Sequence, residues 1–314
     1  MNSKYLNFLA CIFIISFYIK YCESYYIQNG LNRNLNISKI AFGSCFSGFL
    51  SERDDIFKTI NSNNPDLFIW MGDLTYLDEL DYKLSFGIIP DFNLTEAEIR
   101  YNTTYNNIYY KLLRKNKPII GTWDDHDFGY NNGEELYPYK DLTKNLFLNF
   151  LESPIEDIRR KSNRGVYTSY SFGNGYKSFK IIMLDLRYNF RGESYIDEDS
   201  ILLKDFDSGK YNKNKIGKQM MDKNQWTWLE NELKSEETFT FIVSGVQFLP
   251  IDSEFIFEHW LVKEREKFVN LLGKIKKSGV ILLSGDIHLG QILRTKCIHP
   301  SKIILSILIK IIYI

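Results

Sequence analysis

Short apolar runs rich in β-branched and aromatic residues recur along the chain, each ending abruptly in polar, turn-forming residues. They predict strands over residues 39–43, 66–71, 118–123, 166–172, 179–185, 238–244 and 280–284. Most of these runs are almost continuously apolar rather than alternating, which is the pattern of strands covered on both faces. Between them lie segments with helical spacing, predicting helices over 52–61, 96–115, 142–151, 222–234 and 258–277. In the last of these Trp260, Leu261, Phe268, Val269, Leu271 and Leu272 fall broadly on one side of an otherwise charged helix. The alternation predicts an α/β layered domain with helices flanking one or two sheets. No internal repeat interrupts it. The Asn-, Lys- and Gly-rich stretch 205–217 reads as a loop.

Composition narrows the functional classes. With 44% hydrophobic and 25% charged residues, the chain is not disordered throughout. Lys+Arg and Asp+Glu both number 39, so there is no electrostatic case for general nucleic-acid binding or a polybasic membrane sensor. Four cysteines in 314 residues do not make a disulfide scaffold.

The two ends differ from the middle. Residues 1–24 read as a secretory signal: Lys4, then an apolar run from Leu6 to Ile19, cut short by Lys20, with Cys22 and Ser24 at cleavage-like spacing. Cleavage leaves Cys45 and Cys297 in the mature chain, and an uncleaved anchor is the alternative. Sequons at Asn36, Asn93 and Asn102 fit a secretory route to a secreted, vacuolar or other extracellular-type compartment. Residues 301–314 form an apolar tail with three readings: a buried final strand, a membrane-attached segment, or an artefact of the gene model. Membrane association would come only through an uncleaved signal or this tail. The expected organisation is a signal over 1–24, one domain over 25–300, and the tail over 301–314.

Chemistry concentrates directly after four predicted strands. Ile-Ala-Phe-Gly-Ser-Cys ends in Cys45. Leu-Phe-Ile-Trp-Met-Gly-Asp ends in Asp73, with Tyr76 three residues on. Ile-Ile-Gly-Thr-Trp-Asp-Asp-His-Asp carries Asp124, Asp125, His126 and Asp127, and Ile-Leu-Leu-Ser-Gly-Asp-Ile-His carries Asp286 and His288. In layered α/β folds, ligands bind beyond the carboxyl ends of the strands, so groups distant in sequence converge there. Any one strand-end Asp or Cys is usually a turn or a small core residue. Four together point to a shared metal centre, because clustered carboxylates repel unless a cation compensates them.

Gly-Asp-x-x-Tyr, Trp-Asp-Asp-His-Asp and Gly-Asp-Ile-His, in this order and strand context, resemble the alkaline phosphatase D (PhoD-like) branch of the metallophosphoesterases. The Gly-Ser-Cys segment, residues 184–191 (Leu-Asp-Leu-Arg-Tyr-Asn-Phe-Arg) and residues 219–229 are similar to the same family. The resemblance runs from about Lys39 to His288. It implies a four-layer α/β/β/α sandwich, with a binuclear or multinuclear metal centre at one edge of the two sheets. The metals implied are Fe3+ with Ca2+, with Mn2+ or Zn2+ as alternatives. Carried over by motif, Cys45, Asp73, Tyr76, Asp125 (or Asp124), Asp286 and His288 would be the ligands, with Asp73 bridging. Members of the family usually continue well beyond the Gly-Asp-x-His strand, whereas 26 residues follow His288 here.

The expected reaction is hydrolysis of a small phosphate monoester or diester by a metal-activated water. His126 is the expected general acid or transition-state stabiliser. Arg187 and Arg191 are the expected phosphate-binding groups, with surface pairing to Glu193 or Asp185 as the alternative. Ser244 lacks a nucleophile elbow and reads as a strand-end residue. Trp70 and Trp123 read as core. A secreted metal-binding protein without catalysis is the other functional class left open.

Overall fold

The computed structural model describes residues 30–32, 35–48, 54–78, 92–161, 163–191, 218–248, 259–288, 290–296 and 303–308. The predicted signal, the predicted loop 205–217, Cys297 and His299 lie outside these residues.

Among the described residues, ten strands form two sheets. The small sheet has the order β2–β3–β4, from β2 (Ile40–Gly43), β3 (Leu67–Met71) and β4 (Ile119–Thr122), all parallel. The large sheet has the order β1–β5–β6–β7–β8–β10–β9. Its strands are β1 (Gly30–Asn32), β5 (Thr168–Phe172), β6 (Phe179–Met183), β7 (Phe239–Ser244), β8 (Val280–Ser284), β9 (Gln291–Lys296) and β10 (Ile303–Leu308). Adjacent β6, β7, β8 and β10 run parallel, while β5 and β9 pair antiparallel to β6 and β10. Helices α1 (Asp54–Ser62), α2 (Leu94–Asn106), α3 (Ile108–Asn116), α4 (Asp125–Phe128) and α5 (Lys140–Phe150) follow the small-sheet strands, and α6 (Lys223–Leu233) and α7 (Val262–Lys274) those of the large sheet.

The two-residue period of each strand divides its side chains between two cores. In β3, Leu67, Ile69 and Met71 join Tyr170, Phe172, Ile181, Met183, Val243 and Leu283 between the sheets. Phe68 and Trp70, on the opposite face, pack with Phe57, Tyr110, Leu113 and Phe147 of the helices. In the large sheet Ile182, Ile242 and Leu282 face outward onto Trp226, Leu229, Phe268 and Leu272 of α6 and α7. The order is therefore helices, small sheet, large sheet, helices: the four-layer α/β/β/α sandwich. Trp70 and Trp123 are both buried in the helix-side core, as expected.

Two helix expectations change, and one of the three readings of the tail is taken up. The single helix predicted over 96–115 is two, because Asn107 leaves the helical region (φ −52°, ψ 131°) and its Oδ1 accepts the Tyr109 and Tyr110 N–H groups. Asn is favoured at caps because its side chain competes for backbone donors. The helix predicted from 258 begins at Val262, and buried Trp260 precedes it as an anchor, its Nε1 donating to Ser244 Oγ. Residues Ile303–Leu308 of the apolar tail form β10, between β8 and β9. Among the described residues no helix is long and apolar enough to cross a membrane.

Asp185, just after β6, fixes the start of the loop that carries Arg187. Its carboxylate accepts the N–H groups of Val166, Arg187 and Tyr188 at 2.7, 2.9 and 2.9 Å, and the Gln225 amide of α6 clamps its backbone N–H and C=O. Asp185→Ala orphans three buried donors, each costing about 1–3 kcal/mol. Urea unfolding followed by tryptophan fluorescence should therefore show a loss of at least about 3 kcal/mol. A loss below about 1 kcal/mol would contradict this role.

Candidate metal centre

The carboxyl ends of β2, β3, β4, β6, β7 and β8 all open on one edge of the sandwich. The loops there leave the strands in left-handed turns: Cys45 (φ 57°), Asp73 (φ 51°), Asp286 (φ 73°) and His288 (φ 57°) all have positive φ. Each such non-glycine residue costs on the order of 1–3 kcal/mol and persists where the surroundings over-determine it. Glycines allow the close approaches. Gly72 (φ 99°) has a Cβ position 2.6 Å from Asp124 Cβ, and at Gly285 a Cβ would lie 2.6 Å from the Met71 carbonyl and 2.7 Å from Ser44 Cβ. The loop after β8 of the large sheet thus lies directly on the loops after β2 and β3 of the small one. The Cys45 and Phe46 N–H groups donate to the carbonyls of Gly72 and Asp73, continuing the pairing past the strand ends.

Two donor groups result. Cys45, Asp73 and His288 each offer an atom within 4.8 Å of the others, and so do Asp73, Asp125 and His126. Asp73 belongs to both. Cys45 Sγ is 3.6 Å from Asp73 Oδ2 and 3.6 Å from the Asp286 main-chain carbonyl. The Tyr76 hydroxyl is 2.8 Å from His288 Nε2, and the Tyr76 ring lies 4.2 Å from that of His126, centroid to centroid. Arg100 of α2, buried, donates to the Tyr76 carbonyl at 2.6 Å and so pins this loop to the helix layer.

Electrostatics follow from burial. Burial raises the Asp73 pKa well above the usual carboxylate range, and neighbouring Asp125 and Asp124 add to it against His126. Burial likewise raises the Cys45 thiol, with Asp73 contributing, and lifts Tyr76 and Asp127. For His126 burial acts downward, but Asp125, Asp73 and Asp78 outweigh it and raise its pKa well above the ordinary value. For Asp125 burial acts upward, yet His126, Arg187 and the N–H groups of Asn132 and His126 hold it below the usual value. Buried carboxylates gathered in one place are costly to ionise without compensating positive charge. Asp73 Oδ1 is buried and accepts no hydrogen bond. A thiolate, carboxylates, imidazoles and a phenol around such an atom form a donor set suited to metal ions.

The expected residues divide. Cys45, Asp73, Asp125, His126 and His288 converge, with Tyr76 beside His126 and His288. Asp286 presents its main-chain carbonyl to Cys45, and its carboxylate is in neither donor group. Asp124 is fully buried and accepts a bond from Arg187 Nε at 2.6 Å, so Asp125 rather than Asp124 faces the other donors. Arg187 is placed differently from expectation: it is completely buried, with Nη2 3.8 Å from Asp125, clamping two adjacent carboxylates from behind. Of the alternative partners, Asp185 accepts the Arg187 backbone N–H, and Glu193 lies outside the described residues. Arg191 is more open and pairs with Glu135.

Three contributors were not anticipated. Asp78 Oδ1 lies 2.7 Å from His126 Nδ1 while its Oδ2 accepts the Asn131 N–H, which fixes the imidazole and turns Nε2 away from Asp78. Its only signal is an Asp two residues after Tyr76. Asp127, part of the Asp-Asp-His-Asp run, accepts the Thr75 and Asp124 N–H groups and so joins the loops after β3 and β4. Arg100 carried no signal beyond being a cation in a helical segment.

A profile of the family described as PhoD-like phosphatase matches residues 40–299. Among solved structures, one described as the structure of PhoD is similar with a TM-score of 0.62 at 18% identity, over 88% of this chain and 57% of that one. The chain thus spans little more than half the length of that protein. A dimetal phosphatase from Danio rerio is similar with a TM-score of 0.51 at 12% identity, over 86% of this chain and 87% of that one. No curated protein matches the sequence. At these identities the structural likeness concerns the fold.

Without metal, Asp73 and His126 hold protons to higher pH in the folded chain than in the unfolded one. Their contribution to stability is present below the unfolded values, about 3.9 for Asp and 6.5 for His, and is lost as pH rises through the raised folded values. Asp125, shifted the other way, loses its contribution only as pH falls through its lowered value. Metal-stripped protein should therefore melt at lower temperature at about pH 8.5 than at about pH 5.5, and added divalent metal should flatten that slope. A melting temperature that rises with pH in stripped protein would contradict the electrostatic reading.

Proposed function

The chain belongs to the PhoD-like phosphatase family, and on that premise we propose that it hydrolyses small phosphate esters at a binuclear metal centre bridged by Asp73. The observation that carries this reading is the sharing of Asp73 between the donor groups Cys45–Asp73–His288 and Asp73–Asp125–His126. Bound metals would neutralise phosphate oxygens and lower the pKa of a coordinated water to supply the attacking oxygen. The thiolate of Cys45 and the phenolic oxygen of Tyr76 suit iron on one side, and the oxygen-rich Asp125 side suits calcium, with manganese or zinc as alternatives.

The chain's own residues do the rest. Asp73, Asp125, Cys45 and His288 would hold the metals, with Tyr76 and Asp286 beside them. Arg187 holds Asp124 in place through a direct ion pair and lies beside Asp125. His126, oriented through Nδ1 by Asp78, would stabilise or protonate the leaving oxygen. Arg191, partly exposed and paired with Glu135, would be the arginine to meet a phosphate from solution.

The protein would act in the secretory pathway or outside the cell, its signal over 1–24 preceding a catalytic domain over 25–300 and the tail over 301–314. The family match over 40–299 falls within the proposed catalytic domain, and the exposure of Asn36, Asn93 and Asn102 is compatible with glycosylation.

Purified residues 25–314 should contain metal and hydrolyse para-nitrophenyl phosphate or its bis ester between about pH 7 and 10. Asp73→Ala should lose both the metal and at least about 99% of the turnover. Metal without turnover on either ester would favour a binding protein. A folded, metal-free wild type would overturn the reading.

A further inference from the structure

One buried polar side chain at this edge has no role in the centre as described. Gln247 follows β7 and is 0% exposed, yet neither its Oε1 nor its Nε2 has a hydrogen-bond partner. Its backbone is not loose: the Gln247 carbonyl accepts the Trp260 N–H at 2.8 Å. A carboxamide can make several hydrogen bonds, and burying it with none is among the costlier polar arrangements in a protein interior.

The neighbours show where it lies. Ser244 Oγ accepts from Trp260 on the outer side, and Val246 and Phe248 both join the apolar cluster beneath α6 and α7. Gly245 faces the other way: a Cβ there would lie 2.5 Å from Asp124 Cγ. Gln247 stands two residues beyond Gly245, at the edge where that loop meets Asp124, and between Val246 and Phe248 of the apolar cluster. Strand order adds to this. β7 lies between β6 and β8, with Met183 level with Val243 and Ser244 level with Ser284. The chain beyond β7 therefore emerges between the segments carrying Arg187 and His288.

We propose that Gln247 is a substrate-contacting residue whose carboxamide donates to a non-bridging oxygen of the bound phosphate, its carbonyl accepting from the attacking water or a substrate hydroxyl. This rests on the phosphoesterase reading. It explains why an amide, which supplies both a donor and an acceptor without charge, stands where an apolar side chain would be cheaper to bury. A neutral donor also adds no cation to compete with the metals for the cluster of carboxylates.

The test uses metal-loaded protein with Gln247→Met, unbranched and of similar length, and Gln247→Leu, of similar volume, should the first not fold. Metal content is measured by plasma mass spectrometry, inorganic phosphate binding by calorimetry, and stability by thermal melting. The expected result is unchanged metal content, a melting temperature equal to or above wild type because an unsatisfied amide is gone, and phosphate affinity weaker by about tenfold or more. Wild-type phosphate affinity in either folded, metal-loaded variant would overturn the proposal, as it would if the amide held only a trapped water. Loss of metal in both variants would also overturn it, since Gln247 would then belong to the metal scaffold. If wild type itself bound neither metal nor phosphate, the phosphoesterase reading would fail first and Gln247 with it.

Discussion

Asp73 lies where the small sheet meets the large one, within reach of Cys45 and His288 on one side and Asp125 and His126 on the other. So many acids in a buried space cannot all ionise without compensating positive charge, and the compensation supplied by the chain is partial. Arg187 serves Asp124 and Asp125, and His126 shares its field between Asp125 and Asp73. Nothing equivalent is bonded to Asp73 Oδ1. Much of the surrounding architecture follows from holding that carboxylate in place despite its cost.

The sandwich supplies the means. Parallel strands in both sheets end on the same edge, so the loops after β2, β3 and β4 confront those after β6, β7 and β8. Four metal-competent residues are held at positive φ; glycines at 245 and 285 let loops from opposite sheets touch, and Gly72 does the same for neighbouring loops of the small sheet. Hydrogen bonds then lock each loop to its neighbour: Asp127 ties the β3 and β4 loops, Asp185 and Gln225 the β6 loop and α6, and Arg100 the Tyr76 turn and α2. Local strain is thereby offset by a densely bonded frame, which is how a site can be rigid without being individually comfortable.

The sequence made the strands legible because most are buried on both faces and read as uninterrupted apolar runs. The site's location was legible too, since Asp73, Asp125, His126 and His288 interrupt those runs at their ends. What could not be read was orientation. Whether Asp124 or Asp125 faces the centre depends on the Gly245 loop pressing on Asp124 from the other sheet. Arg187 looked like a surface phosphate ligand because nothing local reveals that its guanidinium is wholly enclosed. Asp78 and Gln247 matter only through partners, or the lack of them, set by the tertiary fold. The helix break at Asn107 and the four-residue α4 are local devices that a long helical pattern conceals.

Anomalous diffraction from crystals of the purified, metal-loaded protein tests the central claim most directly. Two separate metal peaks are expected, one beside Cys45 and His288 and the other beside Asp125 and His126, with the Asp73 carboxylate between them and touching both. A single peak away from Asp73, or two that leave its carboxylate uncoordinated, would contradict the account.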